Sequence, residues 1–364
     1  MRGAWVAYYE IAQSAGGVSK SAFIKKADAL FKKMADYGIN TVFLHVRPFS
    51  DAIYPSKLAP WSDILTGTQG GNPGYDPLQI FCDLAAQYRL ALHAWINPFR
   101  ISRNDDLTKL AASNPALAHI EANDGWVRKT GGQYYWNPAM PETHALIYAA
   151  VKELLGKYSL AGLHIDDYFY PTTAASFDAA QYKAYQTAGG KLALGDWRRE
   201  MVSLFVQGLY RTAKQAAPGA VVSISPAGNL KTVRTEMFAD VPRWMAEPGY
   251  ADWMIPQVYF GFENAACPFA KTASDWAALP RHSGLRLLFG LAAYKCGQTD
   301  AYAGAGKEEW KTNSDILARQ LKKIRTLNGY SGFSLFSYEF IGKTLSGIAL
   351  QERENFQKML TATH

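Results

Sequence analysis

Eight short segments with β-strand character alternate with helical segments along the chain, and this alternation limits the possible folds more than any other feature. Each segment is rich in β-branched and aromatic residues, and apolar residues at helical spacing follow it. In chain order, the predicted strands cover residues 3–9, 41–47, 91–98, 160–167, 220–226, 252–260, 285–294 and 329–340. Eight such units predict an α/β fold of the (β/α)8 type, the TIM barrel.

The predicted helices have one apolar face each and recognisable ends. In SAFIKKADALFKKMADYG, residues 21–38, the apolar side chains share a face, and Gly38 is a natural C-terminal stop. The helix after the second strand has Asp76 as its N-cap and Pro77 in its first turn. Its predicted core-facing residues are Ile80, Phe81 and Leu84. Those predicted for residues 21–38 are Phe23, Ala27, Leu30, Phe31 and Met34. Those predicted for a further helix at 314–329 are Ile316, Leu317, Gln320, Leu321 and Ile324.

The segments after the third and fourth strands are long. The first contains WVRKTGGQYYW, residues 126–136, whose Gly131–Gly132 pair predicts a β-hairpin. An open, doubly wound sheet is the alternative fold, but no GxGxxG or phosphate-binding loop opens any predicted helix. We therefore expect one barrel domain over residues 1–364, with long loops after strands 3 and 4.

Charge and composition exclude several classes of protein. The net charge is +7 and the pI about 9.1, which favours anionic partners. The basic residues are scattered, largely on helix faces such as IKKADALFKKM, so we do not expect nucleic-acid binding. No apolar run is long enough for a transmembrane span. Aromatic residues make up 13% of the chain, and Tyr and Trp serve on sugar-binding surfaces as well as in cores.

The sequence indicates neither a metal site nor a cofactor. His45, His93 and His164 fall on three different predicted strands, without zinc-binding spacing. No motif for a flavin, nicotinamide or pyridoxal cofactor is present, and no GxSxG elbow for a serine nucleophile.

Neither the cysteines nor the first residues of the sequence show whether the protein is cytosolic or exported. Cys82 is expected to be buried in a helix, whereas Cys267 and Cys296 fall in consecutive loops, where a disulfide between them is left open. The opening residues, MRGAWVAYYE, lead directly into the first strand without a signal-peptide pattern. An exported protein without its leader would begin in the same way.

Polar and aromatic residues cluster at the ends of the predicted strands, which is where the active sites of (β/α)8 barrels lie. Carboxylates can transfer protons or attack an anomeric carbon, amide and imidazole groups can bond hydroxyls, and aromatic faces can stack on sugars. This combination predicts a carbohydrate site. Its candidate members are Tyr9, Glu10, His45, Arg47, Trp95, Asn97, His164, Asp166, Asp167, Ser225, Asn229, Gln257, Tyr259, Tyr294, Tyr338 and Glu339.

The fourth strand supplies the main reacting groups, because it ends in two adjacent carboxylates. Within LAGLHIDDYFYP, residues 160–171, alternation places His164 and Asp166 on one side and Asp167 on the other. The small and polar side should face the barrel mouth, which makes Asp166 the first candidate. Asp167 lies where the strand ends, so it can turn toward the same cleft or instead cap the next turn. Two carboxylates this close raise each other's pKa, so that one can hold a proton near neutral pH.

Glu339, which ends the eighth strand in SYEF, is the remaining acidic candidate. A glutamate there can act as general acid or hold a substrate hydroxyl. An ion pair with Arg47 or a neighbouring lysine is the structural alternative. Glu10, just past the first strand, is a weaker candidate.

Six sequence blocks, in order over essentially the whole chain, resemble the bacterial glycosyl hydrolase-like 10 family. They are RGAWVAYY, HVRPFSDAIYPS, AWINPFR, GLHIDDYFYP, IPQVYF and SYE, of which the second and fourth are the most specific. The resemblance implies a (β/α)8 glycosidase, exported or lipid-anchored in the bacterial envelope, that cuts peptidoglycan strands of N-acetylglucosamine and N-acetylmuramic acid. It also implies that Asp166 and Asp167 are the central acidic pair. The substrate contacts that it implies are Arg47, Asn97, Tyr168 and Gln257.

The fourth strand is also similar, more distantly, to that of α-amylase-type enzymes, in which the aspartate at the position of Asp166 is the nucleophile. This chain departs from their pattern because its fifth strand ends SISPAGN, without the glutamate that those enzymes use as acid. The acid must then be Asp167 or Glu339, and the sequence leaves that choice open.

Two mechanisms fit these residues for hydrolysis of a β-glycosidic bond in an N-acetylated glycan. In one, Asp166 attacks the anomeric carbon while Asp167 or Glu339 protonates the leaving oxygen. In the other, the 2-acetamido oxygen of the substrate attacks, one aspartate orients it and the other is the acid. The alternative functions are hydrolysis of another polysaccharide, such as an α-glucan, and non-catalytic glycan binding. The aromatic residues expected along the groove are Trp95, Tyr168, Phe169, Tyr259, Tyr294 and the YYW segment at 134–136.

Overall fold

Eight parallel strands close into a barrel in the computed structural model, which describes residues 1–361. The strands are β1 (Arg2–Val6), β2 (Thr41–Arg47), β3 (Ala91–Ile96), β4 (Val127–Thr130), β5 (Gln133–Trp136), β6 (Gly162–Ile165), β7 (Val221–Ile224), β8 (Trp253–Met254), β9 (Arg286–Leu291) and β10 (Tyr330–Leu335). The order around the barrel is β1-β2-β3-β6-β7-β8-β9-β10, and β10 pairs with β1 to close it. Strands β4 and β5 form a separate antiparallel hairpin. The predicted (β/α)8 fold and the predicted hairpin are confirmed.

Helices surround the barrel. They are α1 (Tyr8–Ala15), α2 (Lys20–Asp36), α3 (Asp63–Thr66), α4 (Pro77–Gln87), α5 (Ala116–Ala122), α6 (Pro141–Lys157), α7 (Ala179–Thr187), α8 (Leu194–Ala216), α9 (Leu230–Thr235), α10 (Val241–Ala246), α11 (Phe269–Ala278), α12 (Glu309–Thr312), α13 (Ile316–Arg325), α14 (Glu339–Gly342) and α15 (Gly347–Thr361). Every core-facing residue predicted for α2, α4 and α13 is buried. Asp76 caps α4 as predicted, since its side chain accepts a hydrogen bond from the Gln79 backbone N–H at 3.2 Å. Among the described residues, no helix is long and apolar enough to cross a lipid bilayer.

The predicted first strand is too long at its C-terminal end. Strand β1 ends at Val6, and α1 begins at Tyr8. The cause is Glu10, whose carboxylate accepts a hydrogen bond from the Ala7 backbone N–H at 2.7 Å and so caps the new helix. Tyr9 and Glu10 therefore lie in the first turn of a helix rather than at the end of a strand.

The predicted sixth strand, 252–260, is also too long, because β8 covers only Trp253–Met254. Pro256 has no backbone N–H to continue the ladder. Beyond it, Gln257 pairs with its neighbours on both sides only through isolated bridges. This irregular backbone still brings Gln257 to the barrel mouth.

The long loops predicted after the third and fourth strands are present, at 97–140 and 166–193. The second loop is anchored by an ion pair between Arg198 of α8 and Asp178, both fully buried. The Arg198 guanidinium also donates hydrogen bonds to the backbone carbonyls of Thr173 and Ala174, at 3.1 and 2.8 Å. The segment after the two adjacent aspartates is thereby fixed to α8.

Uncharged histidines occupy the interior of the barrel. His164 Nε2 accepts a hydrogen bond from Trp5 Nε1 at 2.9 Å, so its Nδ1 carries the proton and donates to Ser223 Oγ at 2.8 Å. Burial lowers the pKa of His164 well below its ordinary value and that of His93 to about 3. Gly162 leaves room for the His93 ring, because a Cβ there would lie 2.4 Å from His93 Nδ1. Both imidazoles are therefore uncharged at neutral pH.

The cysteines all carry free thiols. The disulfide that the sequence left open between Cys267 and Cys296 is not formed. Cys82 is buried in α4, as expected.

Candidate active site

A cavity of about 350 Å³ lies at the C-terminal ends of the barrel strands and holds the two adjacent aspartates. Strand ends and the loops after them supply its walls, as is usual for this fold. Its lining consists of Trp5, Ala7, Tyr8, Tyr9, His45, Trp95, Asn97, Arg100, Asp166, Asp167, Tyr168, Ser225, Gln257, Tyr259, Tyr294 and Phe336. The structure thus brings together these residues singled out from the sequence: Tyr9, His45, Trp95, Asn97, Asp166, Asp167, Tyr168, Ser225, Gln257, Tyr259 and Tyr294. Their roles remain predictions.

Asp166 is deeply buried, with 4% of its surface exposed. Its Oδ2 accepts hydrogen bonds from Trp95 Nε1 at 3.1 Å and from Asn97 Nδ2 at 3.4 Å. Its Oδ1 accepts one from the Tyr168 backbone N–H at 3.4 Å. These bonds fix the orientation of the carboxylate, which a group that acts on one atom of a substrate requires.

The two aspartates form an electrostatically coupled pair with raised pKa values. Burial is the largest cause for both carboxyls, and the charge of Asp167 raises the pKa of Asp166 further. Hydrogen bonds from Tyr168 and Trp95 to Asp166, and the positive charge of Arg100, act in the opposite direction. Burial and mutual repulsion together favour a pair that shares one proton near neutral pH.

Several polar atoms in the cavity wall have no hydrogen-bond partner among the described residues. They are both ring nitrogens of His45, Oδ1 of Asn97 and Nε of Arg100. His45 is stacked on Trp95 with ring centroids 3.7 Å apart, and burial holds its pKa well below the ordinary value. Because buried polar groups are normally paired with protein atoms or with water, these atoms are available to bond water or the polar groups of a ligand.

Aromatic rings form the outer wall of the cavity. Tyr168 and Tyr294 are 44% and 48% exposed. Tyr259 and Phe336 pack against Tyr294, with ring centroids 6.0 and 5.9 Å away. Exposed rings beside a carboxylate pair suit stacking against the C–H face of a sugar.

The structure places six predicted site residues outside this cavity: Glu10, Arg47, His164, Asn229, Tyr338 and Glu339. Asn229 caps α9, where its side chain accepts hydrogen bonds from two backbone N–H groups. Arg47 lines a neighbouring cavity of about 500 Å³, which shares Asn97 with the first. His164 is fully buried in the barrel interior, and Tyr338 is 9% exposed. Glu339 lies in the first turn of α14, because the chain turns into a helix soon after β10. Its carboxylate forms an ion pair with Lys343.

Glu10 joins the ends of the first and last barrel strands. Its carboxylate accepts hydrogen bonds from the Ser337 hydroxyl and the Glu339 backbone N–H, both at 2.7 Å, in addition to the Ala7 N–H. Burial raises the pKa of Glu10 to about 7. These contacts describe a structural side chain rather than one that meets a substrate.

The lining includes five residues that sequence reasoning missed, which are Trp5, Ala7, Tyr8, Arg100 and Phe336. Arg100 belongs to the block AWINPFR, but it lies four positions beyond the last residue of β3, Ile96. Strand alternation therefore gave no information about its direction. The one available signal for Arg100 was that a basic residue ends the block AWINPFR, which carries part of the family resemblance.

The described part of the chain contains no group of three or more His, Cys, Asp or Glu side chains that could hold a metal ion. His45 is stacked on Trp95, and His164 is bonded to Trp5.

The sequence matches known proteins over most of its length. The profile of the glycosyl hydrolase-like 10 family matches residues 1–304. The glycosyl hydrolase DigH of Escherichia coli (strain K12) is 32% identical over 350 residues, which cover 90% of this chain and 77% of DigH. The glycosyl hydrolase YngK of Bacillus subtilis (strain 168) is 34% identical over 351 residues, which cover 90% of this chain and 65% of YngK.

Solved structures of glycosidases share the fold. The PgaB (BpsB) glycoside hydrolase domain from Bordetella bronchiseptica superposes with a TM-score of 0.66 at 14% identity, covering 100% of this chain and 99% of that domain. The β-mannanase of the blue mussel Mytilus edulis superposes with a TM-score of 0.52 at 14% identity, covering 100% and 92%. By its profile match and its relatives, this chain belongs to the glycosyl hydrolase-like 10 family and is a glycoside hydrolase.

Proposed function

We propose that this glycoside hydrolase cleaves β-glycosidic bonds in the glycan strands of bacterial peptidoglycan, which alternate N-acetylglucosamine and N-acetylmuramic acid. One observation carries the proposal: a buried aspartate pair lies in a cavity whose unpartnered imidazole, amide and guanidinium atoms match the polar groups of an N-acetylated sugar. The net charge of +7 adds support, because peptidoglycan strands carry muramic carboxylates.

In the proposed reaction, the 2-acetamido oxygen of the substrate attacks the anomeric carbon and the glycosidic bond breaks. Asp166, held by its three hydrogen bonds, orients the acetamido N–H and stabilises the cyclic oxazolinium ion that forms. The three N–H donors to Asp166 favour its charged form, so we assign the shared proton to Asp167, which is partly exposed and donates it to the leaving oxygen. Water then attacks the oxazolinium ion while Asp167 takes back a proton, and the anomeric configuration is retained.

Direct attack by Asp166 on the anomeric carbon is the second candidate mechanism. It requires a nucleophile on one face of the sugar and an acid near the other, with carboxyl groups about 5–5.5 Å apart. Asp166 and Asp167 are consecutive residues at one strand end, and the charge of Asp167 raises the pKa of Asp166. Two carboxyls this close fit one side of the sugar ring better than opposite sides, which favours the acetamido mechanism. Glu339, the other acid considered, does not line the cavity.

An enzyme that acts on peptidoglycan must reach the cell wall, so we also propose that the protein is exported to the bacterial envelope. Immunoblots of cytosolic, membrane and wall fractions from the source bacterium test this. A protein confined to the cytosol would contradict it.

Digestion of purified glycan strands tests the proposed activity. Strands with and without stem peptides, chitin oligosaccharides and starch are incubated with the enzyme, and products are identified by mass spectrometry and by NMR of the new reducing end. We expect N-acetylated saccharides from peptidoglycan strands, with retained configuration. Cleavage of starch alone would instead support an α-glucanase, and binding to strands without any product would support a non-catalytic glycan-binding barrel.

The rate of strand cleavage is expected to fall as the pH rises above neutral. Burial raises the pKa of both aspartates, so the pair keeps its proton well above the ordinary aspartate range and loses its acid only when that proton leaves. Initial rates at saturating strand concentration, from about pH 5 to about pH 9, check this. An aryl glycoside with an acidic leaving group needs no proton and should not show the alkaline fall. If the rate of strand cleavage had already fallen to its minimum near the ordinary aspartate pKa, the raised pKa values of Asp166 and Asp167 would be contradicted.

A further inference from the structure

Arg100 is the one basic side chain that lines the aspartate cavity within the part of the chain described. Its guanidinium contacts the rings of Phe49 and Tyr168, with its central carbon 4.7 and 4.5 Å from the two centroids. Its backbone carbonyl accepts a hydrogen bond from Ser50 Oγ at 3.3 Å, and its backbone bridges to Tyr135. Both the main chain and the charged group are therefore held in place.

This guanidinium forms no direct ion pair with the described residues, although its positive charge acts on Asp166 and Asp167. Its Nε is buried without a hydrogen bond. Two other cations near the cavity differ in this respect. Arg103, which also stacks on Phe49, is paired with Asp63, and Lys295 is paired with Asp300 at 2.6 Å.

The planar shape of the guanidinium determines how Arg100 can bind a ligand. Its N–H groups donate in the plane, at the edge of the guanidinium, while the rings of Phe49 and Tyr168 hold it in place. That planar edge matches the two oxygens of a carboxylate, which it can bind through parallel hydrogen bonds. A sugar hydroxyl has a single oxygen and cannot form two parallel hydrogen bonds with this edge.

We propose that Arg100 forms an anion subsite that binds a carboxylate substituent on the sugar beside the scissile bond. The inference rests on the proposed function and narrows it to glycans with an acidic sugar at that position, of which the lactyl ether of muramic acid is the example in peptidoglycan. A cavity with two carboxylates would otherwise repel such a sugar. Arg100 offsets that repulsion and makes the acidic group a point of recognition.

The test compares glycan strands freed of stem peptides with the same strands after chemical reduction of their lactyl carboxyls to alcohols. For the wild-type enzyme we expect kcat/KM to be about tenfold or more higher on the carboxylate strands, as for the loss of a charged hydrogen bond. In Arg100→Met the ratio between the two substrates should fall toward one, and in Arg100→Lys it should be intermediate. The ratio is informative because any change in the aspartate pKa affects both substrates alike.

Arg103→Met is the matched control, since Arg103 stacks on the same Phe49 ring but does not line the cavity. It should keep the wild-type ratio. An equal loss on both substrates in Arg100→Met would overturn the inference and assign Arg100 to the electrostatics of the aspartate pair. Loss of the ratio in Arg103→Met as well would also contradict it, because the preference would then depend on the shape of the loop.

A binding measurement separates failure of the inference from failure of the proposed function. Asp166→Asn, with and without Arg100→Met, is titrated calorimetrically with the carboxylate and the reduced strands. If the wild type cleaves neither substrate, the proposed function fails, but tighter binding of carboxylate strands that depends on Arg100 still upholds the subsite. Equal affinity for both strands overturns the subsite, whether or not the enzyme cleaves them.

Discussion

Replacement of Asp166 by asparagine is expected to lower kcat on peptidoglycan glycan strands by about 10³-fold or more. The Asp166 carboxylate accepts hydrogen bonds from Trp95 and Asn97 on one oxygen and from Tyr168 on the other. An asparagine must place an NH2 donor against one of these donors, so the side chain loses both its charge and its fixed orientation. Asp167→Asn should be affected similarly on natural strands, because the acid is then missing.

The two aspartate variants should differ on an aryl N-acetylglucosaminide whose leaving group needs no protonation. Asp167→Asn should recover much of its activity on this substrate, whereas Asp166→Asn should not. Thermal melts by circular dichroism control for folding. Glu339→Gln, outside the cavity, should keep activity within a few-fold of wild type. A Glu339→Gln enzyme that loses as much as Asp166→Asn would show that the acid comes from the eighth strand after all.

Replacement of Arg198 by methionine is expected to lower the free energy of unfolding by about 3–5 kcal/mol. Arg198 and Asp178 are fully buried, and the guanidinium holds the carboxylate through Nε at 2.9 Å. Methionine would leave the Asp178 charge unpaired in the interior, and two backbone carbonyls would lose their donors. Urea denaturation at constant pH measures the effect.

A surface ion pair of the same type provides the control. Arg319 and Asp315 are 43% and 53% exposed, so Arg319→Met should cost less than about 1 kcal/mol. The double variant Asp178→Leu with Arg198→Met should regain much of the free energy of unfolding that Arg198→Met loses, because no uncompensated charge remains in the interior. If Arg198→Met lowered the free energy of unfolding as little as Arg319→Met, the loop at 166–193 would not depend on the ion pair between Arg198 and Asp178.

The barrel could be predicted from the sequence because its elements follow local patterns. The apolar residues of α2 and α13 repeat at helical spacing, and Asp76 stands at the cap of α4, so neither feature needs information from elsewhere in the chain. The closure of eight strands then follows from the number of repeats.

The ends of the elements could not be predicted as well, because contacts between distant residues determine them. Glu10 ends the first strand early, and its carboxylate is bonded to Ser337, 327 positions away. Alternation along β6 was enough to direct Asp166 to the barrel mouth. Beyond a strand, alternation carries no information. Arg100 turns back into the cavity, whereas Glu339 enters a helix and pairs with Lys343.

The uncharged histidines of the barrel have a consequence for the acid tolerance of the whole fold. His45, His93 and His164 have pKa values far below 6.5 because they are buried, whereas in the unfolded chain each takes up a proton once the pH falls below about 6.5. At these three sites the unfolded state then binds more protons than the folded one, so their contribution to stability is complete above that pH and is lost as the pH falls. The loss is about 1.4 kcal/mol for each histidine and each pH unit. Glu10 and the aspartate pair act in the opposite direction, because burial raises their pKa values and the folded state keeps protons that the unfolded chain has already lost. The acid tolerance of the barrel is therefore set by the balance between its buried imidazoles and its buried carboxyls.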